Sequence, residues 1–361
     1  MKLLLFPFLV QLTVATVTNT PNLNSAAFPF IPSDLKWAKS NPGDFVHPGL
    51  WHSHDDLERI RKNVIANKDP WKSAFDKFSV DKYSLANYTM QGPQTVLVRG
   101  SGSNYYTFSN DVRAAWQNAL MWYITKDEAH WNRSTIILDS WGTALVDVTG
   151  TDASLMIGLE GDMFVNAAEI MRWEGGWVEA GSQWQGGSGF SIQLYFLFAR
   201  QSIINGQANY GMISIKALLS FAVYLDDVVL YNYALYLMLN DRCAGMYGNY
   251  DSKTGQPLEA GRDQAHVQSG LVWTAQGARV IRNQGGDLFG FDNNLLLRAA
   301  EYTARGIGID AWDVIYYEYV ISRRLKAPWT TEAKAERGFE GGPTGNSLDD
   351  LPGWGDLIWA Q

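Results

Sequence analysis

The sequence predicts an all-α fold in which helix pairs close into an incomplete α/α toroid, within a single domain. Apolar residues recur at helical spacing in stretches of about 12 to 20 residues along most of the 361-residue chain. Strand-like signals are scarce, and only Thr95 to Val98 could form a short strand. The chain has no repeat of fixed period, which argues against an open helical solenoid and favours the closed toroid.

The first helix is expected to follow the segment from His47 to Trp51, with Ser53 or Asp55 as its cap. The apolar periodicity then predicts a series of further helices at about 111–131, 134–145, 152–170, 190–204, 209–224, 227–240, 264–282, 294–304 and 311–325. Residues 331–361 are rich in Gly, Pro and Asp, so we expect this tail to wrap over the surface.

The amino terminus has the features of a secretory signal peptide. A lysine at position 2 precedes a short apolar run and small residues, which predicts a signal peptide over residues 1–17. We expect a coil over residues 18–45, a single α/α-toroid domain over residues 46–361 and an extracellular protein that is a monomer. Sequons at Asn87 and Asn132 are compatible with glycosylation. The single cysteine, Cys243, excludes an intrachain disulfide, and we expect it to be a buried apolar residue.

Composition narrows the class of partner. The chain contains 15 Trp, 17 Tyr and 16 Phe, a heavy aromatic content that fits a carbohydrate binder, although core packing accounts for most of these rings. The net charge is −8 and no polybasic run exists, so nucleic acid and anionic membranes are poor partners. An anionic polymer would require a local basic cluster. No His pair or Cys cluster has metal-ligand spacing, so we expect no metal and no cofactor.

Three polar clusters are candidates for chemistry. The densest runs from Glu259 to His266 and opens a helix, where free N–H groups suit an anion. Arg262 and His266 are four apart and share a helix face. The alternative is a capping and ion-pair network around a core histidine. A second cluster, at 312–319, places Tyr316 and Tyr319 three apart, as any amphipathic helix would.

The third cluster is the polar run at 205–210, which precedes an apolar helix. From these residues alone, Asn209 is best interpreted as the N-cap of that helix.

Together and in this order, the clusters resemble the alginate lyase superfamily of α/α-toroid polysaccharide lyases, including lyases of alginate and glucuronan. The similarity covers most of the chain after residue 46. The run Gly261-Arg262-Asp263-Gln264-Ala265-His266 is its most specific part, and 56–61, 167–172, Asn209-Tyr210 and the aromatic helix at Trp312 support it.

The resemblance implies β-elimination on a β-1,4-linked uronic-acid polymer. Asn209 matches the residue that helps neutralise the uronate carboxylate, and His266 or Tyr210 would remove the C5 proton. Tyr316 or Tyr319 would protonate the leaving oxygen. Tyr210 stands where several relatives have histidine, so the identity of the base stays open. The predicted substrate-binding residues are Arg262, Gln264, Trp177 and Trp184.

Two other functions stay open. A glycoside hydrolase would need two carboxylates across a cleft, drawn from the acidic residues Asp147, Asp152, Asp226 and Asp227. A non-catalytic carbohydrate-binding protein would use Trp173, Trp177 and Trp184 as a stacking platform and would tolerate the loss of His266.

Overall fold

The computed structural model describes residues 35–180, 189–202, 206–262, 264–305, 312–337 and 351–361. The predicted signal peptide, most of the predicted coil, Trp184 and Asp263 lie outside these ranges. Within them helices predominate and strands are almost absent, which confirms the all-α prediction. None of the described helices is both long and apolar enough to span a bilayer.

The helices of the first half are α1 (His54–Ile65), α2 (Trp71–Phe78), α3 (Tyr106–Thr125), α4 (Glu128–Ala144), α5 (Ala153–Met156), α6 (Asp162–Trp173), α7 (Phe190–Gln193) and α8 (Arg200–Ser202). Those of the second half are α9 (Ala208–Tyr224), α10 (Val228–Asn240), α11 (Met246–Asn249), α12 (Gln264–Asn283), α13 (Phe291–Ala304), α14 (Asp313–Tyr316), α15 (Pro328–Arg337) and α16 (Gly355–Ile358). π-helical turns at Ile157–Gly161, Leu194–Ala199 and Tyr317–Ser322 continue α5, α7 and α14.

The long helices are arranged in two layers. The inner helices α3, α6, α9 and α12 are buried on nearly every side, and each of α3, α9 and α12 has an outer partner, α4, α10 and α13 respectively. A helix that is apolar around its whole circumference is stable only when other elements cover it. The inner helices pack in the order α3, α6, α9 and α12, as the toroid requires.

Three inner helices run in the same direction. Gly270 and Gly277 of α12 lie beside Asn209 and Lys216 of α9, so residue numbers rise together in the two helices. Gly158 and Gly161, which lead into α6, lie beside Ile213 and Phe221 of α9 in the same sense. α5 continues through a π-helical turn into α6, so it forms the first turn of that inner helix. The first turns of α5, α9 and α12 therefore lie at one end of the toroid, called here the amino end. The last turns of α6, α9 and α12 form the carboxyl end.

The predicted helix at 111–131 is two helices. Lys126 ends α3 with a left-handed backbone (φ 59°), and the side chain of Asp127 caps α4 by accepting from the backbone N–H of Ala129. Ser53 caps α1, as predicted. The possible strand is present as β1 (Val96–Val98), which pairs in parallel with β2 (Asp147–Thr149).

Two expectations about burial are wrong. Residues 351–361 are buried instead of lying over the surface, and the Trp359 ring stacks on His52 with centroids 5.5 Å apart. Burying several large apolar side chains outweighs the ordering of a short Gly-rich segment. Cys243, expected in the core, is exposed because it lies in the turn after α10.

Candidate active site

Asn209 lies at the amino end, inside the first turn of α9. Its backbone nitrogen and its Nδ2 both donate to the carboxylate of Glu259, at 3.3 Å each. The residue is only 2% exposed. The residue before α9 is Gln207, so Asn209 is not the N-cap that the local sequence favours. A neighbour 50 residues away in the sequence fixes its amide instead.

Glu259 connects Asn209 to the Arg262 and His266 pair. Arg262 Nη1 donates to Glu259 Oε1 at 2.6 Å, and Arg262 Nη2 lies 3.3 Å from His266 Nε2. The Glu259 side chain is 12% exposed, whereas that of Arg262 is 51% exposed. The ion-pair interpretation of this run therefore holds for Glu259 and Arg262, yet the guanidinium still faces solvent. The linked side chains form the network Asn209–Glu259–Arg262–His266.

Tyr210 follows Asn209 and is half-buried at the same end. Its hydroxyl donates to Asp152 Oδ1 at 3.4 Å. Burial raises the pKa of the Tyr210 phenol, and the charge and hydrogen bond of Asp152 raise it further. The positive charges of Arg99 and Arg262 act on this pKa in the opposite direction. The phenol is therefore held in its neutral form between a carboxylate and two guanidinium groups.

The sequence analysis gives Arg99 no role, gives Asp152 one only as a hydrolase carboxylate and gives Glu259 one only in an ion-pair network. Arg99 follows β1, and its guanidinium lies over the ring of Tyr105 at 4.6 Å and 3.8 Å from Glu160. No local pattern places Arg99 beside Glu160 and Tyr210, because both are more than 60 positions away in the sequence.

Tyr316 and Tyr319 do not lie at the amino end, which corrects their predicted catalytic roles. Glu318 pairs with Arg282, which is about 24 Å along α12 from His266. Tyr319 is 0% exposed, and its hydroxyl donates to the Phe289 carbonyl beyond the carboxyl end of α12.

The predicted common face of these two tyrosines is also absent. A π-helical turn begins at Tyr317, directly after Tyr316, and changes the angular spacing of the side chains that follow. The half-buried Tyr316 ring packs edge-on against Tyr317.

The other three predicted binding residues have different outcomes. Trp177 is 4% exposed, and its indole N–H donates to Asp139, so it cannot stack on a sugar and its predicted role is corrected. Trp184 lies outside the described residues. Gln264 begins α12 at the amino end, beside the network.

The amino end suits an anion despite the net charge of −8. Three parallel inner helices direct the positive ends of their helix dipoles towards this end. Arg262 adds an exposed positive charge, and Arg99 adds a second positive charge behind Tyr210. Folding thus brings two arginines to this end without a run of basic residues, and each of them is paired with a carboxylate, Arg262 with Glu259 and Arg99 with Glu160.

The architecture defined by these features is the incomplete α/α toroid. Solved structures of alginate lyases share this fold. Alginate lyase A1-III from Sphingomonas species A1 superposes with a TM-score of 0.58 at 13% identity, over 90% of this chain and all of that one. A variant of A1-III complexed with tetrasaccharide reaches 0.62 at 14% identity, over 92% and 99%.

An alginate lyase from Bacteroides ovatus gives a TM-score of 0.53 at 11% identity, over 87% of this chain and all of that one. No protein-family model matches the sequence, and no curated protein is significantly similar to it. At these identities the similarity establishes the shared fold. Function must be argued from the site.

Proposed function

We propose that this protein is a polysaccharide lyase that cleaves a β-1,4-linked uronic-acid polymer by β-elimination. One observation carries the proposal. An amide (Asn209), an exposed guanidinium (Arg262), an imidazole (His266) and a neutral phenol (Tyr210) lie together at the amino end. The alginate lyases that share the fold support the same class of reaction.

In the first step the site neutralises the uronate carboxylate. The C5 proton becomes acidic only when charge can spread into that carboxylate, so fixed donors beside it lower the barrier. Arg262 supplies a charged donor, and the second Nδ2 hydrogen of Asn209 supplies another. Glu259 orients both groups, since it accepts from each of them.

The contact between Arg262 and His266 favours His266 as the base. A guanidinium has no acceptor atom, so His266 Nε2, at 3.3 Å, is the acceptor in this contact. When Arg262 turns towards a substrate carboxylate, this nitrogen lone pair becomes available. Binding of the anion would then prepare the base in the same movement.

Tyr210 is suited to act as the acid. Its raised pKa keeps the phenol protonated near neutral pH, as proton donation requires. His266 would take the C5 proton, the C4–C5 double bond would form, and the C4–O bond would break as Tyr210 protonates the leaving oxygen. In mannuronate and glucuronate units the C5 proton and the C4 oxygen leave from the same face. Tyr210 acting as both base and acid is therefore the alternative.

The natural substrate would be a mannuronate-type alginate or glucuronan, and we propose that the enzyme is secreted and acts as a monomer. Of the two sequons, Asn87 lies in an exposed turn, whereas Asn132 lies within α4 and is followed by the buried Ser134. Asn87 is therefore the better glycosylation site.

The described carboxylates give a hydrolase little support. Asp226 lies within 3.0 Å of His47 at the carboxyl end, and Asp227 caps α10. Trp173, one ring of the alternative stacking platform, packs on His47 at that same end. Asp226, Asp227 and Trp173 therefore lie away from the amino-end network, whereas Asp152 lies beside it and accepts from Tyr210.

The decisive experiment is incubation of the purified protein with poly-mannuronate, poly-guluronate and glucuronan. We expect ultraviolet absorbance from the new C4–C5 double bond with at least one polymer. Removing one fixed donor at a developing negative charge costs about 100- to 1000-fold, so Asn209→Ala should lose turnover to that extent. His266→Ala should lose it as well, with the folded structure retained.

Cleavage to saturated products would establish a hydrolase instead. Near-normal turnover in both variants would remove the site assignment. Binding of the polymers with no products of either kind would indicate a carbohydrate-binding protein.

A further inference from the structure

A hollow lies at the amino end, on the far side of the first turn of α12 from His266. Its volume is about 580 Å³, which is within the size range of small-ligand sites. The carboxyl-terminal turn of α13 forms the opposite wall, because α13 runs back along α12. Gln264 and His266 are two residues apart on α12 and so face nearly opposite sides of the helix.

The lining of this hollow combines three kinds of group. Tyr302 offers an aromatic ring that is 38% exposed, and Arg305 adds an exposed guanidinium close to it. Gln264 contributes its Oε1 atom, which is buried and has no hydrogen-bond partner. A buried amide oxygen without a partner is costly, so it marks a place where a donor is missing.

These three groups match the parts of one uronate unit. The Tyr302 ring can cover the apolar face of a sugar, and a hydroxyl of that sugar can donate to Gln264 Oε1. The Arg305 guanidinium can bind the carboxylate. Thr303, which also lines the hollow, contributes no free hydroxyl because its Oγ1 donates to the Ala299 carbonyl.

The chain connects this hollow directly to the proposed catalytic network. Ala260 and Gly261 line the hollow, and the residues on either side of them, Glu259 and Arg262, belong to the network. A polymer held at Arg262 can therefore continue across the first turn of α12 into the hollow without leaving the surface.

We propose that the hollow between α12 and α13 is a distal subsite that binds a further uronate unit of the same polymer. Tyr302, Arg305 and Gln264 are its binding residues. The subsite deepens the proposed function and rests on it for the identity of the ligand. Its contribution should be to affinity for longer chains and not to the chemical step.

The test measures binding separately from turnover. Saturated mannuronate and glucuronate oligomers of two and six units are titrated calorimetrically into the Asn209→Ala protein, with and without Tyr302→Ala or Arg305→Ala. We expect each added substitution to weaken binding of the hexamer about two- to tenfold, given the usual strength of one stacking or charge-assisted contact. Binding of the dimer should not change.

Matched controls remove an exposed tyrosine and an exposed arginine outside the hollow. Tyr247→Ala and Arg242→Ala should leave hexamer binding as it was. A neutral hexasaccharide of glucose should bind more weakly than the uronate hexamer, and Arg305→Ala should reduce that preference.

The outcomes separate the two proposals. If the hexamer binds equally well with and without Tyr302→Ala and Arg305→Ala, the subsite does not exist, whatever the enzyme does. If these substitutions weaken hexamer binding but the wild-type protein forms no unsaturated product, the subsite stands and the lyase proposal fails. If the substitutions weakened binding of the dimer and of the hexamer equally, the hollow would not be a distal subsite.

Discussion

Each end of the toroid has a histidine beside charged side chains, but the histidine is buried at one end and partly exposed at the other. At the carboxyl end, His47 Nδ1 lies 2.8 Å from Glu169 and Nε2 lies 3.0 Å from Asp226, and the side chain of His47 is 7% exposed. Both ring nitrogens are engaged, and Trp173 covers one face of the ring at 4.2 Å. We call this arrangement the His47 latch.

At the amino end a charged group stays open to solvent. The Arg262 side chain is 51% exposed, and the Nδ2 of Asn209 makes a single long contact to Glu259. A buried histidine with both nitrogens bound to carboxylates ties segments together, whereas a histidine beside an exposed guanidinium is accessible to a substrate. Residue type alone does not separate a structural histidine from a reactive one, but burial does.

The largest expected difference is that a substitution at the carboxyl end lowers stability, whereas a substitution at the amino end lowers turnover. His47→Ala should lower the free energy of unfolding by about 3 kcal/mol or more, since it leaves two carboxylates without their partner. Arg262→Ala should change that free energy by less than about 0.5 kcal/mol, yet reduce turnover about 100-fold. Urea unfolding and the rate of double-bond formation measure the two effects.

His54→Ala is the matched control for the latch. His54 also pairs with a carboxylate, Glu174, at 2.8 Å, but its side chain is 60% exposed. Its loss should therefore cost less than about 1 kcal/mol. If His47→Ala were no more destabilising than His54→Ala, the latch would not be a structural element.

A smaller effect concerns the pH dependence of stability. Hydrogen bonds and charges from Glu169 and Asp226 outweigh burial and raise the pKa of His47. A raised folded-state pKa contributes stability that is complete below the unfolded value of about 6.5 and is lost as pH rises through the folded value. The difference in unfolding free energy between wild type and His47→Ala should therefore shrink as pH rises above neutrality.

The groups that face His47 are Glu169, Asp226 and the Trp173 ring, over which Arg172 lies at 5.1 Å. His52, whose pKa is lowered to about 4 by burial, contributes the opposite trend and only in acid. Urea unfolding of wild type and of His47→Ala at several pH values would separate the contribution of His47 from that of His52. A gap that widened with pH would contradict the charged state of the latch.

The smallest effect lies at the amino end. Asp152→Asn removes a negative charge that raises the pKa of Tyr210. If the neutral phenol is the acid, the alkaline limb of the kcat/KM profile should move to lower pH in this variant, with a modest change in rate at neutral pH. An unmoved limb would separate Tyr210 from the proton transfer. Tyr210→Phe, which should lose most activity, checks that the phenol is needed at all.

The sequence by itself determined the helical content, most helix positions and the run from Glu259 to His266, because periodicity and capping are local properties. It also carried the resemblance that predicted the toroid and the role of Asn209. Local patterns could not place Tyr319, since a single π-helical turn and a hydrogen bond to Phe289 decide where its hydroxyl lies.

Tertiary structure decided which polar groups meet. The contacts of Asn209 with Glu259, of Tyr210 with Asp152 and of His47 with Asp226 join residues 50, 58 and 179 positions apart. The parallel packing of the inner helices brings the first turns to one end, where the Asn209 and Tyr210 contacts form, and leaves the His47 contact at the other end. Such contacts depend on the path of the whole chain, so periodicity along one helix cannot predict them.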